Sequence, residues 1–163
     1  MRYLMRKQLF SIGDDFWIED ERGERVFRVD GKVLRVRQTF VLEDAGGEAL
    51  ATIRKKLVAL RDTMDVERDG QVAARVRRAL FSPLRQRFDV DLGDGREMVV
   101  QGDITDHEYD VQRDGATVAE ISKRWFSIHD TYAVDVAPGE DVPLVLALTV
   151  AVDWMGHEER EDR

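Results

Sequence analysis

The 163-residue chain carries 25 Lys and Arg against 33 Asp and Glu, a formal net charge of −8, and is 43% hydrophobic. That length fits one domain of ~100 to 200 residues with its own core, and the acidic balance opposes nonspecific adhesion to nucleic acid while leaving room for a local basic patch. With no cysteine, disulfides, thiolate zinc sites and cysteine nucleophiles are excluded together.

The opening MRYLMRKQLF has basic residues but neither the apolar stretch nor the small-residue cleavage site of a secretory signal, so the expected location is cytoplasmic. A first strand is expected near Lys7 to Ser11. A repeat then begins: an aromatic or Met residue, followed two places on by Ile, Leu or Val and then by a charged Gly-containing turn, opens units at Phe16, Phe40, Met64, Phe88, Tyr109 and Tyr132, spaced 24, 24, 24, 21 and 23 residues. MDVERDGQVAARV from Met64, FDVDLGDGREMVV from Phe88 and YDVQRDGATVAEI from Tyr109 align directly; FWIEDERGERVFRV and FVLEDAGGEALATI are looser copies. Each reads as a β-hairpin, because residues alternate in polarity on both sides of a turn in which Asp-Gly supplies positive φ angles. With Tyr132 to Val136 as a last strand, the total is twelve. In the second strands a small residue stands two places before a β-branched one, as in Ala51 and Ile53, Ala74 and Val76, Ala119 and Ile121. These pairs should face inward, with Thr52, Arg75 and Glu120 between them facing out.

The connection GDITDHE, Gly102 to Glu108, gathers Asp103, Asp106, His107 and Glu108, oxygen-rich enough to interest Ca²⁺ or Mg²⁺. Adjacent residues of a short connection do not all converge, however, and no metal site is expected; turn hydrogen bonding is the simpler role. His107, His129 and His157 lie in different contexts, Ser82, Ser122 and Ser127 lack a nucleophile-elbow setting, and no phosphate-loop or dinucleotide fingerprint occurs. The chain is therefore expected to be no enzyme and to use no cofactor. In KRWFSIH, Lys123 and Arg124 precede Trp125 and Phe126, a pattern suited either to an aromatic inserted beside anionic lipid or to a barrel-lining ring.

VPLVLALTVAV, Val142 to Val152, is the longest apolar run. Its 11 residues would cover ~16 Å as a helix, about half of a ~30 Å hydrocarbon core, so no transmembrane span is expected. Asp141 is a candidate N-cap, Pro143 suits a first turn and Gly156 a stop, which frames a helix from about Val142 to Met155. Its apolar residues point in every direction, so a soluble protein must surround it. A strand repeat alone also suits a sandwich or a propeller; the helix favours a closed barrel, because eight strands are just filled by their own side chains whereas twelve leave a lumen that a helix ~10 to 12 Å across can occupy. The fold class expected is mainly β: a twelve-stranded antiparallel closed barrel around a central C-terminal helix, one domain over residues 1–163 with a core of about 3–156 and an acidic tail at 157–163.

In an up-and-down barrel the hairpin tips lie at one end and the connections between units at the other. Acids gather at the tips as Asp20, Glu21, Glu43, Asp44, Glu67, Asp69, Asp91, Asp94 and Asp114. Bases gather toward the connections as Arg35, Arg37, Arg54, Lys55, Lys56, Arg61, Arg75, Arg77, Arg78, Arg85, Arg87, Lys123 and Arg124. From this set Arg54, Lys55, Lys56, Arg75, Arg77, Arg78, Lys123 and Arg124, with Trp125, form the candidate anionic-ligand site, each cation adding ~1 kcal/mol at a charged membrane surface. The competing reading is that the helix ends at this pole and its tail, with Asp153, Glu158, Glu159 and Glu161, neutralises it.

YLMRKQLFSIGDDFWI, VDGKVLRVRQTFVLEDAGG, VVQGDITDHEYDV, VAEISKRWFSIHDTYAVDV and the terminal VPLVLALTVAVD span nearly the whole chain in order, and on these stretches it resembles the LURP-one-related branch of the tubby C-terminal-like fold. The resemblance implies a distant relation to phosphoinositide-binding tubby domains and to phospholipid scramblases, and a binding or scaffold role more than chemistry. The partners it suggests are an anionic membrane lipid, peripherally bound, or another phosphorylated ligand. The alternative is a protein-interaction barrel with no small ligand, meeting its partner through the acidic tips or an exposed strand edge. Six large aliphatic side chains of the helix would contribute on the order of 10 kcal/mol of gross stabilisation once enclosed. Deleting every residue after Pro138 is accordingly predicted to leave an insoluble or molten product, and a cooperative thermal transition in that truncation would contradict the plugged barrel.

Overall fold

A computed structural model describes residues 1–6, 16–31, 38–57, 59–80, 86–103, 108–122 and 131–161. The strands are β1 (Arg2–Arg6), β2 (Phe16–Glu19), β3 (Arg25–Gly31), β4 (Thr39–Asp44), β5 (Ala49–Lys55), β6 (Thr63–Arg68), β7 (Gln71–Arg78), β8 (Gln86–Asp91), β9 (Glu97–Asp103), β10 (Glu108–Arg113), β11 (Ala116–Ser122) and β12 (Thr131–Val136), followed by the helix α1 (Val142–Glu161). Each strand pairs antiparallel with its neighbours in sequence, and β1 also pairs with β12, Arg2 opposite Asp135 and Met5 opposite Tyr132, so the sheet closes into an up-and-down barrel.

The turns show how local sequence sets this topology. Asp69-Gly70 and Asp114-Gly115 carry φ angles of 51° and 76°, and 52° and 79°, the doubly positive geometry whose twist matches that of the flanking strands. Three other tips are held by the aspartate that ends or follows the first strand. Asp20 Oδ1 accepts from the Arg22 and Glu24 N–H groups at 2.9 and 3.0 Å, Asp44 Oδ1 from Gly46 and Glu48 at 2.9 Å each, and Asp91 Oδ1 from Gly93 at 2.8 Å. Register shifts at Ile18/Glu19, Leu42/Glu43, Val66/Glu67 and Val111/Gln112 fall at corresponding points of their hairpins. The sequence repeat is thus a structural repeat, and four of its five hairpins, all but β8–β9, share the bulge.

The first strand begins at Arg2, ahead of the expected Lys7 to Ser11, which lies outside the described residues. Tyr3 and Met5 face the lumen at 6% and 0% exposure, but Leu4 between them is apolar too and only half-buried on the outer wall. With apolar residues on both faces the alternation that marks a strand is muted.

Inward residues alternate in size from strand to strand. Phe40, Met64 and Phe88 on β4, β6 and β8 supply bulk, while Ala51 and Ala74 on β5 and β7 let the wall approach the helix; all are buried. Ile53, Val76, Ala119 and Ile121 are buried as well, and Thr52, Arg75 and Glu120 are not. Along α1, Val145 through Val152 and Met155 are at most 3% exposed, packing most closely on β5 and also on β6, β7 and β12. Two polar side chains near the helix have partners close by. The Thr149 hydroxyl donates to the Val145 carbonyl at 2.9 Å, the Tyr132 hydroxyl donates to Asp153, and Trp154 meets Phe40 edge to face at 5.5 Å and 60°.

Asp141 caps α1, its Oδ1 accepting from the Leu144 N–H at 3.2 Å. The helix does not stop at Gly156 but runs on to Glu161. Gly156 is buried where the helix passes β8, and a Cβ there would fall 3.5 Å from the Gln86 amide oxygen. That is an ordinary contact, so a residue that reads as a terminator is simply carried inside a helix that tolerates its ~1 kcal/mol propensity cost.

Leu146 is fully buried, and Leu146→Ala is predicted to remove about 2 to 5 kcal/mol of stability in denaturant titration. Gly102 faces a second constraint, since a Cβ would lie 2.3 Å from both the Glu108 carbonyl oxygen and the Tyr109 ring. Gly102→Ala should lower stability by about 1 to 3 kcal/mol through overpacking, and an unchanged melting midpoint would contradict that close approach.

Candidate functional site

Cross-strand register decides what the predicted cations do. Arg54 on β5, Asp65 on β6, Arg75 on β7 and Asp91 on β8 are consecutive register partners around the outer wall, and so are Arg77 and Asp89. Arg75 grips Asp65 at 2.7 and 3.2 Å; this hydrogen bonding, more than any other influence, raises the guanidinium's pKa above its ordinary value. Arg54 reaches Glu67 at 3.2 Å. Arg54 and Arg75 therefore belong to a lattice of alternating charge on the wall, and Glu43 and Glu67, read as tip acids, sit on that wall in pairs with Arg28 at 3.7 Å and Arg54. Arg78 points into the mouth of the lumen, donates to the Met155 carbonyl and lies over the Phe88 ring at 5.4 Å. Its role is to hold the helix.

Lys55 and Lys56 lie at the connection rim itself. There the bases of the β5–β6 and β7–β8 connections lie side by side: Arg78 N–H, at the end of β7, donates to the Asp62 carbonyl at 3.1 Å, while a bond from Lys56 N–H to the Thr63 carbonyl at 2.9 Å closes the first connection and one from Ala79 N–H to the Arg87 carbonyl at 2.9 Å closes the second. The two connections and their flanking strand ends carry Lys55, Lys56, Arg61, Arg77, Arg78 and Arg87 against Asp62 and Asp89. Asp62 pairs with Arg78 at 3.5 Å, and Asp89 with Arg87 at 3.1 Å and Arg61 at 3.9 Å. Cations outnumber carboxylates on this arc. The same connections expose Leu57, Leu60 and Leu80 at 60%, 105% and 70%. Sequence reading passed over these leucines, although KKLVALR and RRALFSPLR interleave apolar residues with bases where no strand or helix pattern would bury them. Lys123, Arg124 and Trp125 lie outside the described residues, as do Arg35, Arg37 and Arg85.

The opposite pole holds basic side chains among its acids. Where α1 enters, Arg68, Arg96 and Arg113 line a cavity of about 320 Å³ together with Leu92, Met98, Glu140 and Asp141. Arg113 forms a two-pronged bond to Glu140 at 2.7 and 2.9 Å, and Arg68 pairs with Asp141 at 2.5 Å. The turn that launches the helix thus pairs with Arg113 and Arg68, while Arg96 pairs with Asp94 at 2.8 Å. Asp20, Asp44 and Asp91 are engaged by their turns, and barrel closure removes the exposed strand edge that a protein partner could have extended.

Of the GDITDHE connection, residues 104–107 lie outside the described set. Among the described residues no group of three or more His, Asp or Glu is placed to hold a metal ion, and no helix is long and apolar enough to cross a membrane.

No curated protein matches the sequence. The X-ray structure of a protein from Arabidopsis thaliana superimposes with a TM-score of 0.69 at 23% identity, covering 94% of this chain and 91% of that one, a likeness of fold. The family model described as LURP-one-related matches residues 1–153, from β1 to the buried part of α1 and so across every repeat unit of the barrel. The chain belongs to the LURP-one-related family.

Proposed function

We propose that this tubby-like barrel is a non-enzymatic, cytoplasmic binding module that holds phosphorylated anionic groups at its connection rim. The supporting observation is the excess of cations at the adjoining β5–β6 and β7–β8 connections and their flanking strand ends, where among the described residues Lys55, Lys56, Arg61, Arg77 and Arg87 stand with Asp62 and Asp89, in a chain whose net charge is −8. A local basic arc on an acidic protein raises the concentration of anions there while the rest of the surface repels them, which favours a defined docking pose over general adhesion. The backbone of α1 ends at this same pole, so the acidic tail from His157 onward acts as a counterweight that weakens, without abolishing, attraction to the rim.

The test is sedimentation with mixed phosphatidylcholine–phosphatidylserine vesicles, paired with calorimetric binding of inositol hexakisphosphate. Binding to at least one probe is expected, weakening sharply above physiological ionic strength. Lys55→Glu with Lys56→Glu should reduce it about tenfold or more, since each reversal replaces attraction worth ~1 kcal/mol by repulsion. Deletion from His157 onward should strengthen it. A wild-type chain that binds neither probe would overturn the reading.

A further inference from the structure

Of the large apolar side chains left exposed among the described residues, Leu57, Leu60 and Leu80 share one rim, whereas Met1 and Val72 lie elsewhere. Resting on the anionic-rim reading above, we infer that the physiological partner is a bilayer surface, with these three leucines entering the boundary between headgroups and acyl chains while the neighbouring bases contact anionic headgroups. Three features carry this. First, Leu60 at 105% and Leu80 at 70% exposure stand clear of the barrel on connections. Apolar side chains as exposed as these suit a fluid apolar medium better than the packed pockets of a protein interface. Second, the leucines are interleaved with bases in sequence, Lys55-Lys56-Leu57 and Leu60-Arg61 on one connection and Arg77-Arg78 before Leu80 on the other. Long cationic side chains beside shallowly buried apolar residues are the arrangement that binds an anionic interface. Third, the hydrogen bond from Arg78 N–H at the end of β7 to the Asp62 carbonyl at 3.1 Å sets the bases of the two connections side by side, so their leucines stand on the same rim.

A soluble phosphorylated ligand would use the bases and leave the leucines idle; a membrane uses both. Because the chain has no cysteine, single-cysteine labelling reports insertion directly. Leu60→Cys carrying an environment-sensitive nitrobenzoxadiazole dye should shift its emission to the blue on mixed phosphatidylcholine–phosphatidylserine vesicles. The same dye at Val72→Cys, on β7 at the opposite pole and 44% exposed, should not. Replacing Leu57, Leu60 and Leu80 together by Ser should weaken vesicle binding about tenfold or more per leucine that is buried while leaving the thermal melt and the affinity for inositol hexakisphosphate unchanged. Vesicle binding equal to wild type in the triple variant, or dye shifts of equal size at both poles, would overturn the insertion while leaving the anionic rim in place. Binding of inositol hexakisphosphate with no vesicle binding would likewise reject the membrane and keep the rim. Failure of the wild-type chain on both probes would remove both.

Discussion

Enclosure of α1 is the constraint on which the rest of the structure depends. A helix whose Val145, Leu146, Leu148, Val150 and Val152 face in all directions has no side to leave in water, and a twelve-stranded sheet has a lumen that its own side chains do not fill. Each is the other's missing core. The alternation of bulky inward residues on β4, β6 and β8 with alanines on β5 and β7 lets the wall follow the helix closely, as close packing of interiors requires. The polar fastenings stand at the two ends: Glu140 and Asp141 with Arg113 and Arg68 at the tip end, Tyr132 with Asp153 and Arg78 with the Met155 carbonyl at the other.

That architecture also sorts the charge. On the outer wall, register sets bases beside acids, as in Arg54, Asp65, Arg75 and Asp91, an arrangement that favours correct pairing of strands over slipped alternatives. At the tips, aspartates serve their own turns. On the proposed reading, the surface offered to a partner is the connection rim, where among the described residues the bases are not all committed to wall register or to tight turns. The interleaved bases and leucines of that rim supply two kinds of attraction, one screened by salt and one not, and this pairing suits a peripheral encounter with a charged apolar boundary.

Much of the fold was legible in the chain. Hairpin tips announce themselves through Asp-Gly pairs, unit length through the recurrence from Phe16 to Tyr132, and the buried helix through an apolar run too short to span a bilayer. The failures were local as well. β1 was placed late because Leu4 breaks its alternation, and the end of α1 was placed early because Gly156 was read by its usual terminating role. The candidate site was less legible. Arg54, Arg75 and Arg78 were grouped with Lys55 and Lys56 by their position along the chain, whereas the structure commits the first two to the wall and the third to the helix, and it adds Leu57, Leu60 and Leu80 to the rim.

The chain by itself determined the number of strands, the order of hairpins, the helix and its enclosure, because periodicity, turn geometry and capping act within a few residues of each other. Only the tertiary structure decided which charges are neighbours and which apolar residues remain outside. Arg2 and Asp135 meet at 2.9 Å from opposite ends of the sequence, and the charge ladder around β5 to β8 exists only once closure and register have been set. Compensation and exposure are properties of strands laid side by side, and nothing local in the chain encodes them.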